Sequence, residues 1–276
     1  MKHIFITYGD NGYELAKAKI CEEAKTTGEF DDIISYGREG LSDELLHSEI
    51  INIKRGGGVW SWKPDVILST IEKYNDGDII VYCDAGSTLY PSKEWKQYWE
   101  KLKNHDLIAQ RLYMRTDNWT RKEVLEYFKE NGRGWPCSYQ YQATIIFIVI
   151  SDFTRKFVKE WRDLMIYHPI LAMDVTEEEL SLQHKGFIEN RHDQAIYSAL
   201  VYKCLVGSET KNKVYTQWEH TEDYDPFCKQ AIRATRMRQG QKESLNLLIK
   251  RCVKRIIKDY ILCPFVYSPR QMWYSK

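Results

Sequence analysis

Four short stretches of this chain hold residues able to do chemistry. The first is Asp84-Ala85-Gly86, an acid and two small residues that follow the apolar run Ile79, Ile80, Val81, Tyr82. An acid at the end of a buried strand can hold a divalent ion against a diphosphate, because such an ion takes one or two carboxylates plus phosphate oxygens. Its plainer role is a helix N-cap or a satisfied turn. The second is RGGGVWSWKP, residues 55 to 64. Its glycines let backbone N–H groups approach an anion, and Arg55 and Lys63 match phosphate charge. It lacks the ending of a phosphate-binding P-loop and the setting of a dinucleotide fingerprint. Its plainer role is a flexible loop whose tryptophans fill the core.

The third stretch, NRHDQAIYSAL from 190 to 200, places Arg191, His192, Asp193 and Gln194 at the start of a helix. Asn190 suits an N-cap and Asp193 suits a first turn, which needs no function. The same four side chains could also grip a polyol. The fourth, IRATRMRQG at 232 to 240, carries Arg233, Arg236 and Arg238, with Lys242 just beyond. Such a run is a solvated face or a cover for a phosphate.

Composition sets the frame for these stretches. The 276 residues can bury a sizeable core, and 43% hydrophobic with 29% charged residues is an ordinary globular balance. A net charge of +1 gives no case for nucleic acid as partner. Seven widely spaced cysteines, without a Cys/His ligand cluster, read as reduced thiols in a cytosolic setting. The longest apolar run, ATIIFIVI at 143 to 150, is too short to span a membrane.

The elements that must position the chemistry alternate in type. Strands are expected at 3–8, 30–36, 78–83, 106–112 and 140–150. Helices are expected at 13–24, 41–51, 64–74, 92–103, 120–131 and 152–167. This alternation predicts an α/β fold with a mainly parallel central sheet flanked by helices. In such a sheet the ligand site lies outside the carboxyl ends of the strands. That rule gathers Thr7-Tyr8-Gly9-Asp10, the glycine-rich loop and Asp84-Ala85-Gly86 on one rim. Residues 243–261 form an amphipathic helix by spacing, with Leu248, Val253, Ile256 and Ile257 among Lys250, Arg251, Lys254, Arg255 and Lys258. Such a helix packs on the domain or lies on an anionic membrane.

In order, FITYGD, FDDIISYG, RGGGVWSWKP, GDIIVYCDAG, the RHDQ helix start and IRATRMR resemble a family of bacterial and viral glycosyltransferases of capsule and surface-glycan synthesis. Members carry an RGxGYWxWKP-like loop, a DAG-type variant of the DxD motif and a late HDQ. The likeness covers residues 3 to 240. It implies a GT-A, Rossmann-like fold: one glycosyltransferase domain over 1–240, then a basic helix and tail over 241–276. It implies that Asp84, beside Ala85 and Gly86, meets the donor's ribose and a Mn²⁺ or Mg²⁺. It sets Thr7 and Tyr8 against the nucleotide, and Arg55, Trp62 and Lys63 against the nucleotide or its diphosphate. It sets His192 and Arg236 on the donor side, and Asp193 and Gln194 beside the transferred sugar. The Asp-Gln pair is similar to that of retaining, glycogenin-like transferases.

One departure stands out. Gly86 occupies the place of the second DxD acid. Either His220 completes a metal site with Asp84, or the metal requirement is weak and Arg and Lys carry the phosphate charge. The activity implied is transfer of a sugar from a nucleotide-sugar donor to a hydroxyl of a glycan or lipid-linked acceptor, leaning to retention. The expected location is cytoplasmic, with peripheral contact at the inner face of a membrane through the C-terminal helix. Two other classes stay open: a nucleotidyltransferase, and a non-catalytic glycan-binding or scaffold protein of the same fold.

Overall fold

A computed structural model describes residues 1–10, 12–222, 230–236 and 244–257. Its strands are β1 His3–Tyr8, β2 Asp32–Tyr36, β3 Ile79–Cys83, β4 Thr88–Leu89, β5 Leu107–Arg115, β6 Tyr139–Tyr141, β7 Ile145–Val149, β8 Val214–Trp218 and β9 Ile232–Arg233. Its helices are α1 Glu14–Thr27, α2 Asp43–Leu46, α3 Gly56–Val59, α4 Trp62–Ile71, α5 Glu94–Leu102, α6 Lys122–Tyr127, α7 Asp152–Tyr167, α8 Glu177–Leu180, α9 Asp193–Val206 and α10 Leu245–Ile256.

The main sheet runs β2-β1-β3-β7-β5-β6, with β8 also on β5. Its central strands are apolar throughout because both faces are covered. Side chains alternate across a strand, so each strand divides its residues between two cores. Ile4, Ile6, Ile80, Tyr82, Ile146 and Ile148 enter one cluster with residues of α4, α7 and α9. Phe5, Ile79, Val81, Ile145 and Phe147 enter the other, with residues of α1 and α5. The α/β class is as the alternation predicts. The parallel character belongs to β2-β1-β3 and to β8 on β5, while β3-β7, β7-β5 and β5-β6 are antiparallel.

Three stretches differ from expectation for physical reasons. Residues 41–51 form the short α2 and a 3₁₀ turn, Ile50–Asn52, instead of one helix. The backbone switches there to i−3 bonds, Ser48 N–H to Leu45 O at 3.1 Å and Ile53 N–H to Ile50 O at 3.2 Å, which end the α-helix. The apolar run at 140–150 is two strands, because the chain leaves the ladder at Gln142–Thr144 between β6, which pairs β5, and β7, which pairs β5 and β3. That break matters for the site: the Asp84 N–H donates to Thr144 O at 2.9 Å. Residues 120–131 hold α6 and a 3₁₀ turn, Lys129–Asn131. The strands β4, β8 and β9 have no counterpart in the sequence reading. Among the described residues, no helix is long and apolar enough to cross a membrane. Arg238, Lys242 and Lys258 lie outside the described residues.

Candidate active site

A cavity of about 770 Å³ opens at the carboxyl ends of β1 and β3, where an open α/β sheet presents its loops. It brings together most residues singled out by type and spacing: Tyr8, Arg55, Trp62, Lys63, Asp84, Ala85, Gly86, His192, Asp193, Gln194 and Arg236. Two candidates are not in its lining. Thr7 is fully buried, and its hydroxyl donates to Cys83 O at 2.8 Å, tying β1 to β3. It supports Tyr8 rather than facing a ligand. His220 pairs with Glu94 Oε1 at 2.5 Å and lies 3.4 Å from the Tyr98 hydroxyl. It tethers the segment beside β9 to α5 and does not join Asp84.

The glycine-rich stretch is a turn of unusual backbone. Gly56, Gly57, Gly58, Val59 and Trp60 all have positive φ, at 60°, 58°, 97°, 47° and 63°. Left-handed backbone is strained for residues with a Cβ, and for branched valine most of all. Such strain persists only where its surroundings enforce it, and it collects at functional sites. Here a Cβ on Gly58 would stand 2.9 Å from Ile51 Cα, so the chain passes too close for any other residue. The turn ends by delivering Trp62 and Lys63 as the first residues of α4. Trp62 is fixed from two sides: its Nε1 donates to Gly56 O at 2.9 Å, and its ring stacks on Tyr8 at 4.2 Å and 19°. Burial pushes the Tyr8 hydroxyl up to about 12, so it stays protonated.

Lys63 and two acids form the cavity floor. The Lys63 ammonium, 3% exposed, lies 2.8 Å from Asp193 Oδ2 and 3.4 Å from Asp84 Oδ1. Burial works to lower its pKa, but Asp193 and Asp84 outweigh burial and hold it above the ordinary lysine value. Asp84 also accepts from the Tyr82 hydroxyl at 2.6 Å. Asp193 is the first residue of α9, after His192 at φ 53°. Burial raises its carboxyl to about 6, against the opposing pull of Lys63. The Trp161 indole donates to the Asp193 carbonyl at 3.1 Å and packs that helix start against α7.

The rim is looser. Arg55 reaches Asp174 at 3.5 Å with both side chains half exposed. His192 Nε2 also meets Asp174, at 3.0 Å, and burial holds this imidazole below its ordinary pKa. Gln194 donates to Gln140 Oε1 at 2.7 Å, and Arg191 lies over the Trp119 ring at 4.6 Å. Arg236 pairs with Glu222 at 2.6 Å while 68% exposed. Lining residues that no sequence signal marks are Tyr13, Lys54 and Thr144, alongside Trp60 and Arg191 from the stretches already named. Five cations (Lys54, Arg55, Lys63, Arg191, Arg236) and three carboxylates (Asp10, Asp84, Asp193) line the cavity, an excess of two positive charges. A cavity with aromatic walls and that excess suits an anionic ligand bearing a ring system.

A divalent ion does not fit these residues as a protein-held centre. Among the described residues, no group of three His, Cys, Asp or Glu could hold one. Gly86 offers no ligand where a second acid would stand. Of the three acids in the lining, Asp84 and Asp193 already share one ammonium, at 3.4 and 2.8 Å, which leaves Asp10 as a single carboxylate.

No family model matches the chain, and no curated protein matches it. Among solved structures, it is similar to a glycosyltransferase involved in the glycosylation of the major capsid of PBCV-1. The identity is 11%, the overlap is 79% of this chain and 82% of that one, and the TM-score is 0.41. It is similar to the bifunctional glycosyltransferase WbbM at 11% identity, over 71% of this chain and 36% of that one, TM-score 0.43. It is similar to the galactosyltransferase LgtC, solved with donor and acceptor sugar analogs, at 13% identity over 82% and 90%, TM-score 0.32. Scores below 0.5 mark a loose likeness that carries no function over to this chain.

Proposed function

We propose that this chain is a glycosyltransferase of the GT-A type. It moves a sugar from a nucleotide-sugar donor to a hydroxyl of a glycan or lipid-linked acceptor, as in capsule, lipopolysaccharide or surface-glycan synthesis. The observation that carries this reading is the cavity itself: aromatic Tyr8, Trp60 and Trp62 beside an excess of positive charge, over an Asp84–Lys63–Asp193 floor whose Lys63 and Asp193 are buried. The rings suit the base, the cations suit the diphosphate, and the carboxylates and Gln194 suit sugar hydroxyls.

The chemistry breaks the bond from the anomeric carbon to the diphosphate oxygen and forms one to the acceptor oxygen. Asp193 is enclosed and paired with Lys63, so it serves poorly as a base that must reach an acceptor. That enclosure supports the retaining reading, in which the acceptor enters on the leaving-group face and its proton passes to the departing phosphate oxygen. Asp193 and Gln194 orient the sugar. Charge developing on the leaving group is met by fixed cations, the largest kind of contribution in such sites.

A lipid-linked acceptor also accords with α10. Leu245, Ile249, Val253, Ile256 and Ile257 are exposed along it beside Lys250, while Arg251 holds the helix to Thr235 O at 3.2 Å. An apolar stripe with basic flanks lies well on an anionic bilayer. Sedimentation with phosphatidylglycerol vesicles, but not with phosphatidylcholine vesicles, is the expected result; equal pelleting with neither removes the membrane part. The donor reading is tested by thermal shift against a panel of sugar nucleotides. A ligand at about 100 times its Kd adds roughly 2.7 kcal/mol of stability. Stabilisation by one nucleotide family supports the reading, and no shift from any member sinks it.

A further inference from the structure

Lys63 is the least exposed cation in the cavity lining, and the fold spends an unusual backbone on placing it. The left-handed turn at Gly56–Trp60 and the Tyr8–Trp62 stack fix the first turn of α4, so the ammonium arrives between two acids. An ammonium has three N–H donors. One bonds Asp193 Oδ2 at 2.8 Å, and the charge of Asp84 Oδ1, at 3.4 Å, draws a second toward it. The third has no acceptor among the described residues, and Lys63 lines the cavity. The two acids thus hold a charged donor in place with one N–H to offer a ligand.

The same geometry works against a divalent ion. Such an ion requires carboxylate oxygens that are free of competing cations. Asp84 has an ammonium at 3.4 Å, Asp193 has the same one at 2.8 Å, Gly86 supplies nothing, and Asp10 is a single carboxylate on the loop after β1. An ion at Asp84 would sit beside a like charge in a partly buried site, where repulsion is strong.

We propose that Lys63 is the built-in cation for the donor's diphosphate, in place of a bound divalent ion. This rests on the nucleotide-sugar reading above. When the anomeric carbon–oxygen bond breaks, its electron pair goes to the leaving phosphate oxygen. The third N–H of Lys63 meets that charge, and Arg55 and Arg236 add to it from the rim. A converse follows. Removing the ammonium leaves Asp84 and Asp193 unpaired around one vacated point, which is a place for a divalent ion. Lys63→Ala therefore turns an indifferent protein into a metal-dependent one.

The experiment is titration calorimetry of UDP, GDP, ADP and dTDP with the full chain, in EDTA and in MnCl₂. The nucleotide that binds the wild type is expected to bind with affinities within about twofold in the two buffers. Lys63→Ala is expected to lose roughly ten- to a hundredfold in EDTA, as for a charged hydrogen bond, and to regain part of it with Mn²⁺. Lys63→Arg, which keeps the charge, is expected to stay indifferent to metal. Wild-type binding that appears only with Mn²⁺ overturns the proposal and leaves the donor reading standing. Wild-type affinity of Lys63→Ala in EDTA overturns it as well. No binding of any nucleotide in either buffer removes the donor reading and this inference together. If circular dichroism shows Lys63→Ala unfolded, the wild type and Lys63→Arg in the two buffers decide.

Discussion

The floor and the rim of the cavity are built from the same kinds of ion pair in opposite surroundings. On the floor, Lys63 and Asp193 are 3% and 7% exposed at 2.8 Å. On the rim, Arg236 and Glu222 are 68% and 31% exposed at 2.6 Å. The distances are nearly equal, so distance does not separate them; solvent does. Breaking a buried pair by removing one partner leaves an uncompensated charge and costs several kcal/mol, whereas an exposed pair contributes between nothing and about 1 kcal/mol. The floor therefore fixes geometry before any ligand arrives. The rim can exchange Glu222 or Asp174 for a ligand phosphate at little cost.

The sharpest way to break this contrast is to remove the floor's cation. Lys63→Met is expected to lower stability by about 3–5 kcal/mol, read by urea unfolding, because the buried Asp193 and the partly exposed Asp84 lose their partner. A loss under about 1 kcal/mol, the range of an exposed pair, would erase the distinction between floor and rim.

The backbone that delivers the floor comes next. Gly58→Ala meets Ile51 Cα and a φ of 97°, and is expected to cost roughly 1–3 kcal/mol in the same unfolding measurement. Gly57→Ala, whose Cβ meets nothing nearer than 3.6 Å, tests backbone strain alone and is expected to cost about 1–2 kcal/mol. Equal effects at the two positions would remove the role of close packing.

A pH series sharpens the contrast further. Burial raises the Asp193 carboxyl to about 6 in the fold, above the ordinary aspartate range. A raised carboxyl favours the protonated form in the folded state. That contribution is fully present below the unfolded value and is lost as pH rises through about 6. Asp193→Asn is expected to abolish this part of the pH dependence. Donor affinity runs the other way: it should fall below about pH 6, where Asp193 takes a proton and releases Lys63. Affinity flat from pH 5 to 8 would show that the pair does not serve binding.

The smallest effect belongs to the rim. Arg236→Ala is expected to change stability by less than about 0.5 kcal/mol while slowing donor association, most visibly at low salt. A stability loss as large as that of Lys63→Met would show the rim to be structural.

What the sequence reveals follows the same division. Lys63, Asp84 and Asp193 are legible because each sits at a fixed offset from a local signal: a glycine turn, the end of an apolar strand, a helix start. The strands β1, β3 and β7 are legible from unbroken apolar runs. The break at Gln142–Thr144 is not, because a change of strand partner leaves no mark on local hydrophobicity. His220 is misplaced by type alone: histidine suits a metal, but Glu94 and Tyr98 claim it through contacts 126 and 122 residues apart in sequence. Thr7 shows the same limit at close range. Its neighbour Tyr8 lines the cavity, while alternation along β1 turns Thr7 to Cys83. Rim pairs such as Arg55–Asp174 depend on distant segments meeting, and nothing local announces them.

The most direct test of sugar transfer is release of nucleoside diphosphate from the sugar nucleotide that best stabilises the protein, with wild type and Asp193→Asn compared side by side. Turnover by the wild type, and none by a variant that still binds the nucleotide, though more weakly for want of the Asp193 charge, is the expected result. Equal turnover in both, or none by the wild type across the donor and acceptor panel, would contradict an active site built on the Asp84–Lys63–Asp193 floor.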